Sequence, residues 1–242
     1  MTAAILVVIW AAASEIARSP LLPGPIEVAR ALARAIAAGT LVRAVAISTA
    51  RLVVGYATAL ALGIPAGLVL ARSERTKRAL GPLVLGLSSV PSICWLPLAI
   101  VWFGLSEAAI QIVVVLGAAL PVTMATEGAV RQLPPTVERA ARTMGASGVT
   151  LIVRVLLPAA MPGIVSGAKI GWTFALRSLM AGELLFVSGG LGQLLETGRD
   201  LADTALVLGI VAVIVLLSRV SERVLFGPIE RGIARRWGTS TP

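Results

Sequence analysis

The chain has 242 residues, of which 57% are hydrophobic and 14% charged, with 21 Lys+Arg against 12 Asp+Glu, no His and one Cys. A soluble domain carries roughly 25% charged residues to make its polar skin, so this composition excludes a water-soluble globule and predicts an all-α integral membrane protein. The net charge of +9 is not a nucleic-acid footprint, because the cations punctuate apolar spans instead of sharing one accessible face. Without His, neither a Ser-His-Asp nor a Cys-His nucleophile can be assembled, and with one Cys no zinc site can be built. No G-x-x-x-x-G-K-[ST] loop occurs, so the chain has no phosphate-binding loop of its own.

A membrane-spanning helix needs about 20 mostly apolar residues. The first apolar run, Ala3–Ala17, is short and ends in small residues like a signal-peptidase site; lacking a basic flank, it is read as a retained first span. Pro20–Pro25 is a stiff turn. Ile26–Ala38 carries Glu27, Arg30 and Arg34 at helical spacing and is expected to lie as an amphipathic helix at the outer interface. The second span, Ala44–Ala71, ends in the basic loop Arg72–Arg78. The third, Leu83–Phe103, is interrupted by Pro91 and Pro97, and the fourth is Ala108–Thr126. A polar interval, Glu127–Arg154, precedes the fifth span, Leu156–Leu176. Val187–Asp203 reads as a Gly-rich external loop, Thr204–Leu217 begins the sixth span, and Arg219–Pro242 reads as a basic tail. One membrane domain over 1–242 is expected, with an N-terminal part to residue 43, core helices over 44–226 and the tail from 227.

Most Lys and Arg fall in the Arg72–Arg78 loop, the Glu127–Arg154 interval and the tail. By the positive-inside rule these face the cytoplasm, as do both termini.

Polar residues within apolar spans are candidates for a translocation pathway. Arg51 lies near the start of span two, as a pathway residue, a structural ion-pair partner or a snorkelling cation. Ser88, Ser89, Pro91 and Ser92 break span three, and a broken backbone is tolerated only in protein or beside water. Gln111 and Thr123 lie in span four. Lys169 and Arg177 share a face of span five, and Arg177 suggests a pair with Glu183 at the outer mouth. Gly63/Gly67 and Gly163/Gly167/Gly171 are small-residue series suited to close helix packing, Gly189–Gly192 reads as an external turn, and Cys94 reads as an apolar filler.

The Glu127–Arg154 interval holds the most specific pattern. Thr136 is a candidate N-cap for a short helix that runs through Glu138, Arg139, Ala140, Ala141, Arg142, Thr143 and Met144 to Gly145, Ala146 and Ser147. Its small residues form a face suited to being covered by another protein. This stretch resembles the EAA signature of bacterial ABC importer permeases: Glu-Ala-Ala, three residues, Gly, nine residues, Ile, one residue, Leu-Pro. Registered on Gly145, the alanines are Ala140 and Ala141, the Leu-Pro is Leu157-Pro158, and Val155 takes the Ile position. Arg139 stands in the Glu position, with Glu138 one residue early.

Ala141–Ser147 has the form found in the nitrate/sulfonate/taurine/bicarbonate branch. Leu96–Gly104, Ala181–Leu185 and Gly190-Leu191-Gly192 are also similar to that branch, and the resemblance runs from about Leu22 to Trp237. It implies a type I ABC importer permease fold of about six transmembrane helices, with residues 136–147 as a cytoplasmic coupling helix. It further implies a bacterial inner-membrane homodimer, two ABC ATPase subunits that hold the ATP and Mg, and an external solute-binding protein. No cofactor is expected on this chain, and its lipid contacts are those of any membrane protein. A stand-alone secondary transporter is the competing reading, though its usual coupling-ion carboxylates are missing from the spans.

Overall fold

The structure, a computed structural model, describes residues 2–17, 19, 21–185 and 189–237. Arg18, Val187 and Ser188 of the expected external segments and residues 238–242 of the expected tail lie outside these. Among the described residues there is no strand. The α-helices are α1 Thr2–Ala17, α2 Pro25–Ala37, α3 Thr40–Arg72, α4 Glu74–Ser89, α5 Leu96–Phe103, α6 Glu107–Arg131, α7 Pro135–Thr143, α8 Gly148–Leu151, α9 Leu157–Leu184, α10 Leu191–Asp200 and α11 Thr204–Trp237. A 3₁₀ turn at Ser92–Trp95 precedes α5, and a π-helical turn at Ile152–Leu156 joins α8 to α9.

Four segments are long and apolar enough to cross a bilayer: Thr40–Arg72, Glu107–Arg131, Gly148–Leu184 and Thr204–Ile233. α4 and the Ser92–Phe103 segment are long and apolar enough only when taken together, and they are bent by 100° at the Pro91 break. The remaining expected span corresponds to α1, whose 16 residues fall short of a full crossing. Pro97 does not interrupt the third span. It sits in the first turn of α5, where a missing N–H costs nothing.

The chain divides into two compact units. The first comprises residues 1–51 and 179–219. Its core joins Ala35 of α2, Leu41 and Ala44 of α3, Leu191 of α10 and Ile210 of α11, with Leu32, Leu194 and Leu206 packed around them. Gly209 lets α11 approach the Leu32 side chain. Here the expectation of an external loop over Val187–Asp203 is corrected, because residues 191–200 are helical. Leu191, Leu194 and Leu195 recur at helical spacing on the core side, a stripe that the surrounding Gly and polar residues obscured.

The second unit comprises residues 52–178 and 220–242, and α6 is its centre. A Cβ at Gly63 or Gly67 of α3 would meet the backbone carbonyls of Ala119 or Thr123. On α9, Gly163, Gly167 and Gly171 lie against Ala129, Ala125 and Val122 of α6. Both small-residue series therefore serve packing within the chain. The expected tail is also corrected: α11 stays helical to Trp237. Its Phe226 joins Tyr56 and Trp172 in edge-to-face contacts at centroid distances of 6.4 Å. Glu222 and Glu230 of α11 bind Lys169 Nζ of α9 at 2.9 and 3.2 Å. Cys94, in the 3₁₀ turn before α5, is exposed.

Candidate functional site: the α7 turn and the buried Glu183 cluster

The sequence Pro134-Pro135 starts α7. Pro134 is extended and Pro135 occupies the first turn, where its fixed φ is helical and its missing N–H would have no partner anyway. Thr136 is thus inside the helix and is not its N-cap, which corrects that expectation. The C-terminus is a Schellman motif. The N–H of Gly145 donates to the Arg142 carbonyl at 3.0 Å, and the N–H of Ala146 to the Ala141 carbonyl at 2.9 Å. Gly145 has φ +85° and open space around its missing side chain, so the backbone conformation, not crowding, demands glycine there.

The two alanines, about 100° apart around α7, differ in burial. Ala141 is 2% exposed and packs on Leu151 and Leu156. Ala140 is exposed, with Arg139, Thr143, Gly145 and Ser147, and Met144 is 80% and Val149 75% exposed. The face open to a partner therefore comprises Arg139, Ala140, Thr143 and Met144, with Ala141 serving its own chain.

Glu138 anchors α7. Its Oε1 accepts from Arg142 Nη2 at 2.8 Å and Nε at 3.1 Å, and from Arg72 Nη1 of α3 at 3.0 Å. The Arg142 guanidinium, then that of Arg72, hold this carboxyl below the usual carboxylate range. Next to it, Arg131 binds Glu74 at 2.9 Å, and Lys77 binds Glu127 at 2.7 Å. These two pairs join the end of α6 to the start of α4.

In the first unit, Arg51 and Glu183 form a buried cluster. Arg51 Nη1 lies 2.9 Å from Glu183 Oε1, with side chains 8% and 0% exposed. Ser48 donates its hydroxyl to the same carboxylate at 2.7 Å and accepts the Leu191 N–H at 2.8 Å. The Gly192 N–H donates to Glu183 Oε2 at 3.0 Å. The carboxylate thus caps the first turn of α10, where negative charge is favoured. A Cβ at Gly190 would collide with it, and one at Gly192 would collide with the Glu183 side chain and backbone. Gly189–Gly192 is therefore not a simple external turn: Gly190 and Gly192 are the close-approach positions of this clamp. The expected Arg177–Glu183 pair is also corrected, since Glu183 pairs with Arg51 and the Arg177 guanidinium lies over the Phe174 ring at 5.9 Å.

The other pathway candidates lie in the second unit. Ser88 and Ser89 end α4 and donate to the carbonyls of Val84 and Gly86, both at 2.7 Å. Thr123 donates to the Ala119 carbonyl at 2.8 Å. Pro91 marks the bend, and Ser92 packs on α6 at Gly117. Gln111 is half-buried on α6, beside Gly55 of α3. Sequence reasoning missed Ser48 and Arg72 as partners. Ser48 and Arg51, three apart on one helix face, gave a local signal; the pairing of Arg72 with Glu138 gave none.

The family model described as the binding-protein-dependent transport system inner membrane component matches residues 63–225, and the chain belongs to that family. It is a transport subunit of the ABC permease type, with ATP hydrolysis on separate subunits, and a multi-pass membrane protein. Among its relatives is the taurine transport system permease protein TauC of Escherichia coli, 30% identical over 226 residues that cover 91% of this chain and 82% of that one. Another is the permease protein SsuC of Escherichia coli, named for aliphatic sulfonates, 29% identical over 219 residues that cover 90% and 83%. A solved structure of inward-facing MetNI, a methionine ABC transporter, matches with a TM-score of 0.72 and 25% identity over 80% of this chain and 96% of that one. The architecture is the type I importer permease fold.

Proposed function

We propose that this chain, as a homodimer, forms the translocation pathway of an ATP-driven importer for a small anionic solute. A sulfonate, taurine, nitrate or bicarbonate fits this class, and the names of TauC and SsuC favour a sulfonate. An external binding protein delivers the solute. Two cytoplasmic ABC ATPases, which hold ATP and Mg, dock on α7 and drive alternating access. Both termini face the cytoplasm, in keeping with the basic segments on that side. Arg51, Ser88, Ser89, Pro91, Ser92, Gln111, Thr123, Arg177 and Glu183 are the pathway candidates. The buried Arg51–Glu183 pair acts there by fixing α10.

One observation carries the reading: α7 is held to its own chain by Ala141 and Glu138 while Ala140 and Met144 stay uncovered. A partner that seats on α7 can move it, and Glu138 passes the motion to α3 through Arg72. Replacement of Ala140 with Trp places bulk on the open face without touching the core. Ala140→Trp is expected to abolish ATPase co-purification and to reduce ATP-dependent uptake in proteoliposomes at least tenfold, with the permease still folded. Normal uptake by that variant would remove the docking assignment.

A further inference from the structure

A groove of about 410 Å³ runs between the end of α3, the Glu74–Leu85 stretch of α4 and the C-terminal third of α6, within the range of small-molecule sites, roughly 300–1,000 Å³. Its wall is apolar, built from Leu70, Gly81, Pro82, Leu85 and Met124, and its rim is charged, with Glu74, Lys77, Arg78 and Glu127. The two rim carboxylates are already matched, Glu74 by Arg131 at 2.9 Å and Glu127 by Lys77 at 2.7 Å. Arg78 has no ion pair among the described residues, and neither does Arg75, which is exposed one turn earlier on α4, outside the groove lining but within reach of Arg78 at i,i+3 spacing. With Arg131 and Arg75 counted beside it, the rim carries a net positive charge, at the point where α3 gives way to the basic first turns of α4; the expected Arg72–Arg78 loop is thus corrected, since only Ser73 separates the two helices. No residue of α4 is buried by this chain.

A ligand for this groove must be apolar along its length and anionic at one end. We propose that it binds one anionic glycerophospholipid, with an acyl chain along Leu70, Leu85 and Met124 and the headgroup phosphate on Arg78 and Arg75. Basic pockets between membrane helices hold acidic lipid headgroups in this way. The site stands on membrane residence alone, and its failure would leave the ATPase assignment of α7 untouched.

The test uses the purified full-length permease, delipidated in neutral detergent and titrated with phosphatidylglycerol or phosphatidylcholine, with bound lipid counted by native mass spectrometry. Phosphatidylglycerol is expected to bind with at least tenfold preference, and the exposed double variant R75Q/R78Q to lose most of that preference. Gly81→Phe fills the groove: a Cβ there meets only the Lys77 side chain, at an ordinary 3.5 Å. It is expected to abolish binding of both lipids while the protein's melting curve persists. Equal binding of the two lipids, or a preference unmoved by R75Q/R78Q, overturns the proposal. Glycerophosphate without acyl chains competing as well as the lipid would make this a free-phosphate site. Efficient disulfide formation between copies by Leu85→Cys in a Cys94→Ser background would show that a second permease covers the groove. Either result overturns the lipid assignment.

Discussion

Glu183 is enclosed by its own chain and has Arg51 Nη1, the Ser48 hydroxyl and the Gly192 N–H within hydrogen-bond distance. A buried carboxylate is tolerable only with such partners. Removal of one member of a buried pair strands the other and typically costs about 3–5 kcal/mol. Glu183→Ala is therefore expected to lower the unfolding midpoint in detergent by many degrees. The double variant Arg51→Met/Glu183→Leu, which removes both charges, is expected to recover a large part of the loss. A single variant as stable as the parent would show that the cluster contributes little. None of this geometry could be read along the chain: Arg51 and Glu183 are separated by 132 positions, and spacing alone could not choose between Arg51 and Arg177 as the partner.

The α7 element shows what local chemistry can specify. Pro134-Pro135 at its start and Gly145 at its end act through backbone geometry within a few residues, so a short helix there was legible in the sequence. The division of its alanines was not, because Ala141 is buried by Leu151 and Leu156 from the following turn. The same limit explains α10, whose Leu191, Leu194 and Leu195 stripe was hidden among glycines.

Glu138 makes the anchoring of α7 dependent on pH. Its folded carboxyl is held below the ordinary range. The pairs with Arg142 and Arg72 therefore add stability that is present above the unfolded carboxylate value, near 4.3, and is lost as pH falls through the lowered folded value. Hydrogen exchange over residues 136–144, corrected for intrinsic rates, is expected to show unchanged protection between pH 7 and 5 and a loss of up to about fivefold below pH 4. Exposed pairs rarely contribute more than this. Glu138→Gln should abolish the pH step. A step of equal size in that variant would assign it to another group.

At the scale of the whole molecule, the apolar composition predicted membrane helices, and the family model, the relatives and the MetNI structure support a type I permease. Hydropathy located the long spans because each is nearly uniform in composition. It placed their ends less well: α6 runs on to Arg131 and α11 to Trp237, since charged residues continue a helix when partners such as Glu74 for Arg131 await them. The EAA-like spacing from Gly145 to Pro158 could be recognised in the sequence because it is local and rigidly spaced. The most direct measurement is site-specific photo-crosslinking in membranes that contain the cognate ATPase. With the photoreactive residue at Met144, an ATP-sensitive adduct to the ATPase is expected, and with it at Val101, exposed on α5, none. Equal adducts at both positions, or none at Met144 while uptake proceeds, would contradict α7 as the coupling site.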